Sequence, residues 1–296
     1  MAIKLGTSDI SKVYLGATEV SKIYLGSTEV YSSFSYLLDT YTGADVAYSL
    51  RKLRSAYSGN CVRVRRSSDS TELNIGFVNN VLDTASLLTF TGAGDGFVTT
   101  WYDQSTNAKN AAVSTATEQP QIVSSGAMIS GGIDFDGGNY LFNASSIAYS
   151  GGVSFFSVQN LVNLTGRLWS DDITGAQGNF IANADSPIQL NDNGNGYEDI
   201  TLPSFTINTE QLASFTFNDS NGDYSHSING SSGTGNLSTW TGPIAPSGSA
   251  NIGIMAAGNS GQYGTGKLKE LVIYPNNQAS NSSGIKTNIN NYYGSY

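Results

Sequence analysis

Asp103 lies in the run Trp101-Tyr-Asp-Gln-Ser-Thr-Asn107. A lone acid among hydroxyl and amide side chains could serve as a general acid or base. The run also has a simpler use: an Asp followed by Gln, Ser, Thr and Asn favours a turn in which the carboxylate bonds its own backbone. The structural role is the expected one. His226 is the single histidine of the chain. It falls mid-strand in a hairpin with no nucleophile motif around it, so an ordinary packed or exposed imidazole is expected there.

Two stretches carry oxygen-bearing side chains at alternate positions, the arrangement that hard cations need. Asn191-Asp-Asn-Gly-Asn-Gly196 places Asn191, Asn193 and Asn195 as in the first half of a calcium loop, with Gly at the sixth position. The twelfth position is Leu202, where such a loop requires a bidentate Glu. An unfilled Asn/Gly turn is the expectation, with calcium the alternative. Asp219, Asn221 and Asp223 form a second set of the same kind and receive the same reading. With one cysteine, Cys61, and one histidine, neither an intrachain disulfide nor a structural zinc site is available, and no cofactor or metal is expected.

Exposed aromatic rings stack on the apolar faces of sugars, and neighbouring amides bind the hydroxyls. Trp101, Trp169, Trp240 and the 17 tyrosines supply such rings. In a β-sandwich, however, large aromatics commonly belong to the core. Arg63, Arg65 and Arg66 make the one basic cluster, Cys61-Val-Arg-Val-Arg-Arg66. Alternation turns Val62 and Val64 to the core and Arg63 and Arg65 to solvent, so a solvated strand face is expected rather than a phosphate site. The net charge of -9 and pI near 4.5 argue against nucleic acid or an anionic membrane as partner.

The elements that must position these groups are mostly strands. Charged residues make up only 12% of the chain and there are 34 glycines, the profile of a turn-rich β-sandwich with a polar, uncharged surface. Clear strands are Gly96–Tyr102, Ile133–Phe135, Val153–Val158, Ser204–Ile207, Leu212–Phe217, Tyr224–Ile228 and Leu268–Tyr274. A tight turn near Asn221-Gly222 joins the fifth and sixth of these into a hairpin. Ala47–Arg54 reads as the best helical stretch, and Asp83 can cap a short helix over Thr84–Phe90 that ends at Gly92. Helices are too few for a parallel sheet, so the architecture is antiparallel.

Ahead of this lies a ten-residue unit repeated three times, with Leu at 5, 15 and 25, Gly at 6, 16 and 26, and an acid at 9, 19 and 29. Ile10–Leu15 and Val20–Leu25 are strand-length runs, each closed by a four-residue Gly-containing turn. Such units bury little by themselves and need neighbours. They are expected to pack on other copies, on a partner or on the following domain. Leu5, Tyr14, Leu15, Tyr24 and Leu25 are the attachment or oligomerisation candidates. The expected organisation is a leader at 1–32 and a β-sandwich at 33–296. The opening Met-Ala-Ile-Lys-Leu-Gly lacks the apolar core of a signal peptide, and no apolar run approaches transmembrane length.

Tyr224–Gly230, with its Ile-Asn-Gly end, and Gly266–Pro275 followed by Gly284–Tyr293 resemble segments of concanavalin-A-like (laminin-G-like) jelly rolls. Within that class, Ala47–Arg54, Val64–Asp69 and Trp101–Asn107 resemble the catalytic domain of fungal α-L-arabinofuranosidases. They are similar as well to a group of phage tail-fibre and virion-surface proteins, whose leaders the decapeptide repeat resembles. The resemblance implies an all-β, concanavalin-A-like jelly roll. In the enzymes it implies a nucleophilic Glu on a mid-domain strand and an acidic Asp in a Gly-Gly-Asp-Asn-type loop before the last strand. Leu190-Asn-Asp-Asn193 and Ala256-Ala-Gly-Asn-Ser260 fall at those places, neither with the expected carboxylate at the aligned residue, and the family's adjacent Cys pair is missing. Asp192, Glu198 and Asp199 lie near the first place. No catalytic residue is therefore expected.

The resulting expectation is a non-catalytic phage virion protein, made in the host cytoplasm without a signal peptide. A tail-fibre or receptor-binding role comes first, with the leader gripping other virion proteins, a homotrimeric assembly, and the sandwich meeting a host surface glycan. A capsid decoration or head-fibre protein is one alternative, and a glycosidase or depolymerase is the other.

Overall fold

The structure, a computed structural model, describes residues 4–5, 8–9, 13–16, 18–20, 22–26, 28–32, 35–172, 180–183, 187–191, 197–203, 205–244, 251–257 and 261–296. Strands dominate, and every pairing between them is antiparallel. Two sheets face each other across one core, as the expected jelly-roll β-sandwich requires.

The first sheet runs, in spatial order, Ser231–Asn236, Asp223–Ile228, Gln211–Asn218, Gly152–Leu161 and Thr265–Tyr274. The free side of Thr265–Tyr274 is shared by Ile133–Asp136 along its first half and Val46–Ser49 along its second. The second sheet runs Tyr197–Thr201, Pro187–Asn191, Phe180–Asn183, Arg167–Asp172, Asn251–Ile254, Leu141–Asn143, Ala111–Ala112, Gly96–Trp101, Val62–Arg66 and Glu72–Ile75. Gln121–Ser124 pairs with a strand of each sheet and turns the corner between them.

The core between the sheets includes Val153, Phe155, Phe215 and Phe217 from one face and Val98, Trp101, Trp169 and Ile254 from the other. A second layer covers the outer face of the first sheet. There Phe156, Val158, Leu212 and Val272 pack under Leu37 and Leu38 of helix Leu37–Thr40 and under Ile285 and Ile289 of helix Ser282–Tyr293. The central strand Gly152–Leu161 is thus buried on both faces, and its Val-Ser-Phe-Phe run needs no polar alternation.

The same double burial explains a correction. Ala47–Arg54 is not helical: Val46–Ser49 is a strand paired with Glu270–Ile273. Tyr48 enters the main core while Ala47 enters the layer beneath the helices. Packing on both faces overrides the local helical pattern. The strand expected at Ser204–Ile207 is not formed over its described part, Phe205–Ile207. Residues 205–209 make a turn instead, held by Thr206 N–H on Gln211 Oε1 at 2.8 Å and Asn208 N–H on Leu161 O at 2.7 Å. The helix at Thr84–Thr91 matches its expectation, with Asp83 Oδ1 accepting Ser86 N–H at 3.0 Å.

Each leader repeat forms its own two-stranded hairpin: Lys4–Leu5 with Ser8–Asp9, Tyr14–Leu15 with Thr18–Glu19, and Lys22–Leu25 with Thr28–Ser32. The turns are shorter than expected. Leu15 pairs directly with Thr18, and Leu25 with Thr28, leaving two-residue loops. Gly16 and Gly26 open them at φ +66° and +65°, a conformation that disfavours any Cβ.

Candidate functional site

A cleft of about 470 Å³ opens where residues 50–60 meet the loop between Gly96–Trp101 and Ala111–Ala112. That volume suits a small ligand or a short stretch of a polymer. Arg54, Tyr57, Asn60, Tyr102, Asp103 and Asn110 supply its chemistry.

The walls are held by the Tyr-Asp-Gln-Ser element. Asp103 is buried, and Oδ1 accepts N–H groups from Ala47 at 2.8 Å and Ser105 at 2.9 Å. Its Oδ2 accepts the Ser105 hydroxyl at 2.6 Å and Lys109 N–H at 2.9 Å. The Gln104 amide accepts Leu53 N–H at 2.8 Å and donates to the carbonyls of Ser49 at 3.0 Å and Arg51 at 2.8 Å. Asn107 donates to Asp45 O at 2.9 Å. The motif stitches its own loop to the preceding strand and its extension, and the structural reading of Asp103 is correct.

On that frame Tyr57 and Tyr102 sit half-buried. Tyr57 donates to Asn60 O at 2.8 Å and meets Phe77 edge-on; Tyr102 donates to Asn74 Oδ1 at 2.8 Å. Burial pushes the Tyr57 hydroxyl well above its ordinary value, so it stays a neutral donor. The Asn60 side-chain amide and Asn110 Nδ2 have no hydrogen bond among the described residues and are free for a ligand.

The cleft does not contain a hydrolytic pair. Most glycosidases use two carboxylates separated by about 5–9 Å. Asp103 is the one carboxylate among the lining residues, and both its oxygens are occupied. Three described carboxylates elsewhere have structural duties. Glu198 Oε1 accepts the Thr239 hydroxyl at 3.0 Å, and Asp199 Oδ1 accepts the Gln189 amide at 2.9 Å. Buried Asp171 accepts Tyr149 O–H at 2.9 Å, and burial drives that phenol well above its usual range. Asp192, Asn193 and Gly258–Ser260 lie outside the described residues. The side chains described at the two enzyme-like places are Leu190, Ala256 and Ala257, all buried.

The remaining sequence candidates are placed as follows. Trp101 and Trp169 are core, while Trp240 is partly buried, edge-on to Phe217 at 4.8 Å. His226 is half-buried on strand Asp223–Ile228 beside Gly233. Arg63 pairs with Glu72 at 2.5 Å and Arg66 with Asp69 at 2.6 Å, while Arg65 lies on Phe97, which spends this cluster on its own surface. Asp219 binds Ile244 N–H at 3.0 Å and the Trp240 indole N–H at 3.1 Å, and Asp223 accepts the amides of Asn221 and Asn236 at 2.6 and 2.7 Å. Protein donors thus fill that second calcium-like loop. Asn193 and Asn195 of the first lie outside the described residues, and Asn191 is described only as a strand residue. Among the described residues no acidic, His or Cys cluster has metal-binding geometry. Of the leader candidates, Leu15 is 80% exposed; the side chains of Leu5, Tyr14, Tyr24 and Leu25 lie outside the described residues.

Arg54, Tyr57 and Asn60 were not among the candidates from sequence. A tyrosine and an arginine in the small-residue loop Arg54-Ser-Ala-Tyr-Ser-Gly-Asn60 were the available signal.

No family model matches the chain, and no curated protein matches it in sequence. Solved structures do share its fold. An arabinofuranosidase complexed with arabinofuranosyl-α-1,2-xylobiose superposes with a TM-score of 0.64 at 15% identity, over 86% of this chain and 64% of that one. A variant of a GH54 α-L-arabinofuranosidase soaked with 4-nitrophenyl α-L-arabinofuranoside gives 0.63 at 16% identity, over the same shares. The same family soaked with a cyclic sulfate inhibitor gives 0.61 at 15% identity. The chain therefore spans just under two thirds of these enzymes' length, and at such identity the likeness is one of fold.

Proposed function

We propose that this chain is a non-catalytic, glycan-binding phage virion protein, a tail-fibre or receptor-binding component whose sandwich meets the host surface. The observation that carries the glycan reading is the cleft. Two tyrosine rings, the Asn60 amide and the free NH2 group of Asn110 stand beside a carboxylate already saturated by four donors. Aromatic faces stack on sugar rings, amides bind hydroxyls, and a lining with one carboxylate lacks the pair that most glycosidases use. Support for the virion assignment comes from the leader: three hairpins, each a separate sheet, resembling the repeats of phage virion proteins.

The test is a glycan-array screen of the full chain beside its Tyr57→Ala and Tyr102→Ala variants. Binding that both substitutions abolish, with unchanged circular dichroism, is the expected result. An absence of binding to every glycan overturns the receptor role. A second reading, a glycosidase acting on surface polysaccharide, is favoured by the fold likeness alone. Shortened products in the same incubations would establish it.

A further inference from the structure

We infer that the cleft selects anionic glycans, and that Arg54 is the residue that reads the acidic group of the sugar. This rests on the glycan reading of the cleft and adds the class of sugar it takes.

The other arginines are spent. Arg51 is paired with Glu270, Arg63 with Glu72 and Arg66 with Asp69. Arg65 and Arg167 hold the side-chain oxygens of Gln119 and Gln262 at 2.7 and 2.6 Å. Two lysines are paired as well, Lys109 with Asp45 and Lys269 with Glu210. Such pairing is expected in a chain of net charge -9, where acids outnumber bases 23 to 14. Among the described residues Arg54, like Arg65, has neutral oxygen partners, but it lacks the short side-chain bond that holds Arg65 and Arg167. The partners of Arg54 are two neutral carbonyls, Gln104 O at 3.3 Å from Nε and Ser105 O at 3.3 Å from Nη2. Both contacts are longer than the usual N–H···O range. Nη1 has no partner among the described residues, and the guanidinium is half-buried at the cleft wall.

A guanidinium with donors to spare presents a planar fork that matches a carboxylate, sulfate or phosphate oxygen pair. Partial burial strengthens that interaction relative to a fully exposed pair. The Asp103 carboxylate in the same cleft does not take the role. Its oxygens accept from Ala47, Ser105 and Lys109, and the positive ends of those four dipoles point at it. Tyr57 and Tyr102 flank the cleft to take the ring, and the Asn60 and Asn110 amides take hydroxyls. The set therefore fits a sugar carrying one acidic substituent, and a neutral sugar leaves the fork empty.

The experiment is a binding titration of the full chain with uronate and sialate oligosaccharides, each paired with its methyl ester, and with monosulfated lactose paired with lactose. The ester pairs keep the shape and remove the charge. Acid forms are expected to bind at least about tenfold more tightly than their esters, with the gap narrowing as salt rises. Arg54→Gln is expected to erase the gap while leaving ester binding and the melting curve in place. Arg54→Lys restores part of it. Comparison of the carboxylate and sulfate pairs tells which anion the fork prefers. Esters that bind as tightly as acids overturn the inference and leave the glycan reading standing. So does an Arg54→Gln variant with an undiminished gap. If no saccharide of any kind binds, both fall together.

Discussion

The Asp103 carboxylate accepts the backbone N–H of Ala47, 56 residues earlier in the chain, at 2.8 Å. One buried side chain thereby fixes the loop that carries Tyr102 against the strand that leads into Arg54. Asp103→Asn keeps the shape but turns an NH2 group toward two N–H or O–H donors. A loss of about 3 kcal/mol is expected, since hydrogen bonds to a charged group contribute more than neutral ones and buried donors would be left unpaired. Urea denaturation measures it. An unchanged midpoint would show that Asp103 is not the anchor of this loop.

A second anchor holds the C-terminal helix. Arg51 Nε and Nη2 grip Glu270 Oε2 and Oε1 at 2.7 and 2.9 Å, with both side chains buried. Ser49 and Tyr293 add hydroxyls to the carboxylate, and Arg51 lies over the Tyr292 and Tyr293 rings. A bulge opposite Val158 and Gln159 sets this up: Glu270 and Leu268 face successive residues, with Lys269 left between. Glu270→Ala is expected to cost about 3–5 kcal/mol, because it strands a buried cation. The double variant Arg51→Met/Glu270→Leu should recover most of that loss in a double-mutant cycle. Additive losses would contradict the pairing.

His226 supplies the one imidazole, so titration near neutrality has a single histidine source. Burial lowers its pKa from the ordinary 6.5, and Nδ1 is buried without a hydrogen-bond partner. Between the folded value and 6.5 the unfolded chain binds more protons than the folded one. Stability is therefore full above 6.5 and declines as pH falls below it. Thermal melts from pH 7.5 to 5 should show that decline, and His226→Gln should flatten it. A histidine C–H resonance titrating at or above 6.5 would refute the assignment.

Among the described residues the leader hairpins form sheets separate from the sandwich, and Leu15 stands 80% exposed. Isolated two-stranded hairpins are marginal in water. Their charges balance as well, with Lys4, Lys12 and Lys22 against Asp9, Glu19 and Glu29, so the net -9 falls outside them. Copies can meet through the leader without net repulsion. The triple substitution Leu5→Asn, Leu15→Asn and Leu25→Asn should convert an oligomer to a monomer in sedimentation velocity. A wild-type chain that sediments as a monomer would rule out leader-driven assembly.

Local chemistry made much of the fold legible. Asp83 and Gly92 bracket their helix, and the hairpin strands on either side of Asn221-Gly222 fall where alternation and turn residues place them. The helix expected at Ala47–Arg54 failed because of packing from two sides. Val46–Ser49 is buried on both faces and shows no period of two, so Leu50 and Leu53 gave it a helical pattern. Helix Ser282–Tyr293 is marked by Ile285, Ile289 and Tyr293 at four-residue spacing, a signal that polar neighbours obscured. The cleft was harder, because Arg54 and Tyr57 meet Tyr102 and Asn110 only through the fold. The one local signal was an arginine and a tyrosine in a loop otherwise made of small residues and Asn60.

We propose that the cleft holds a glycan and leaves it intact. Mass spectrometry of acidic oligosaccharides recovered from the full chain, read beside equilibrium binding to Tyr57→Ala and Tyr102→Ala, tests it directly. Ligand retained by the wild type, lost by both variants, and returned at its original mass is the expected result. Shortened products, or binding that survives both substitutions, would contradict it.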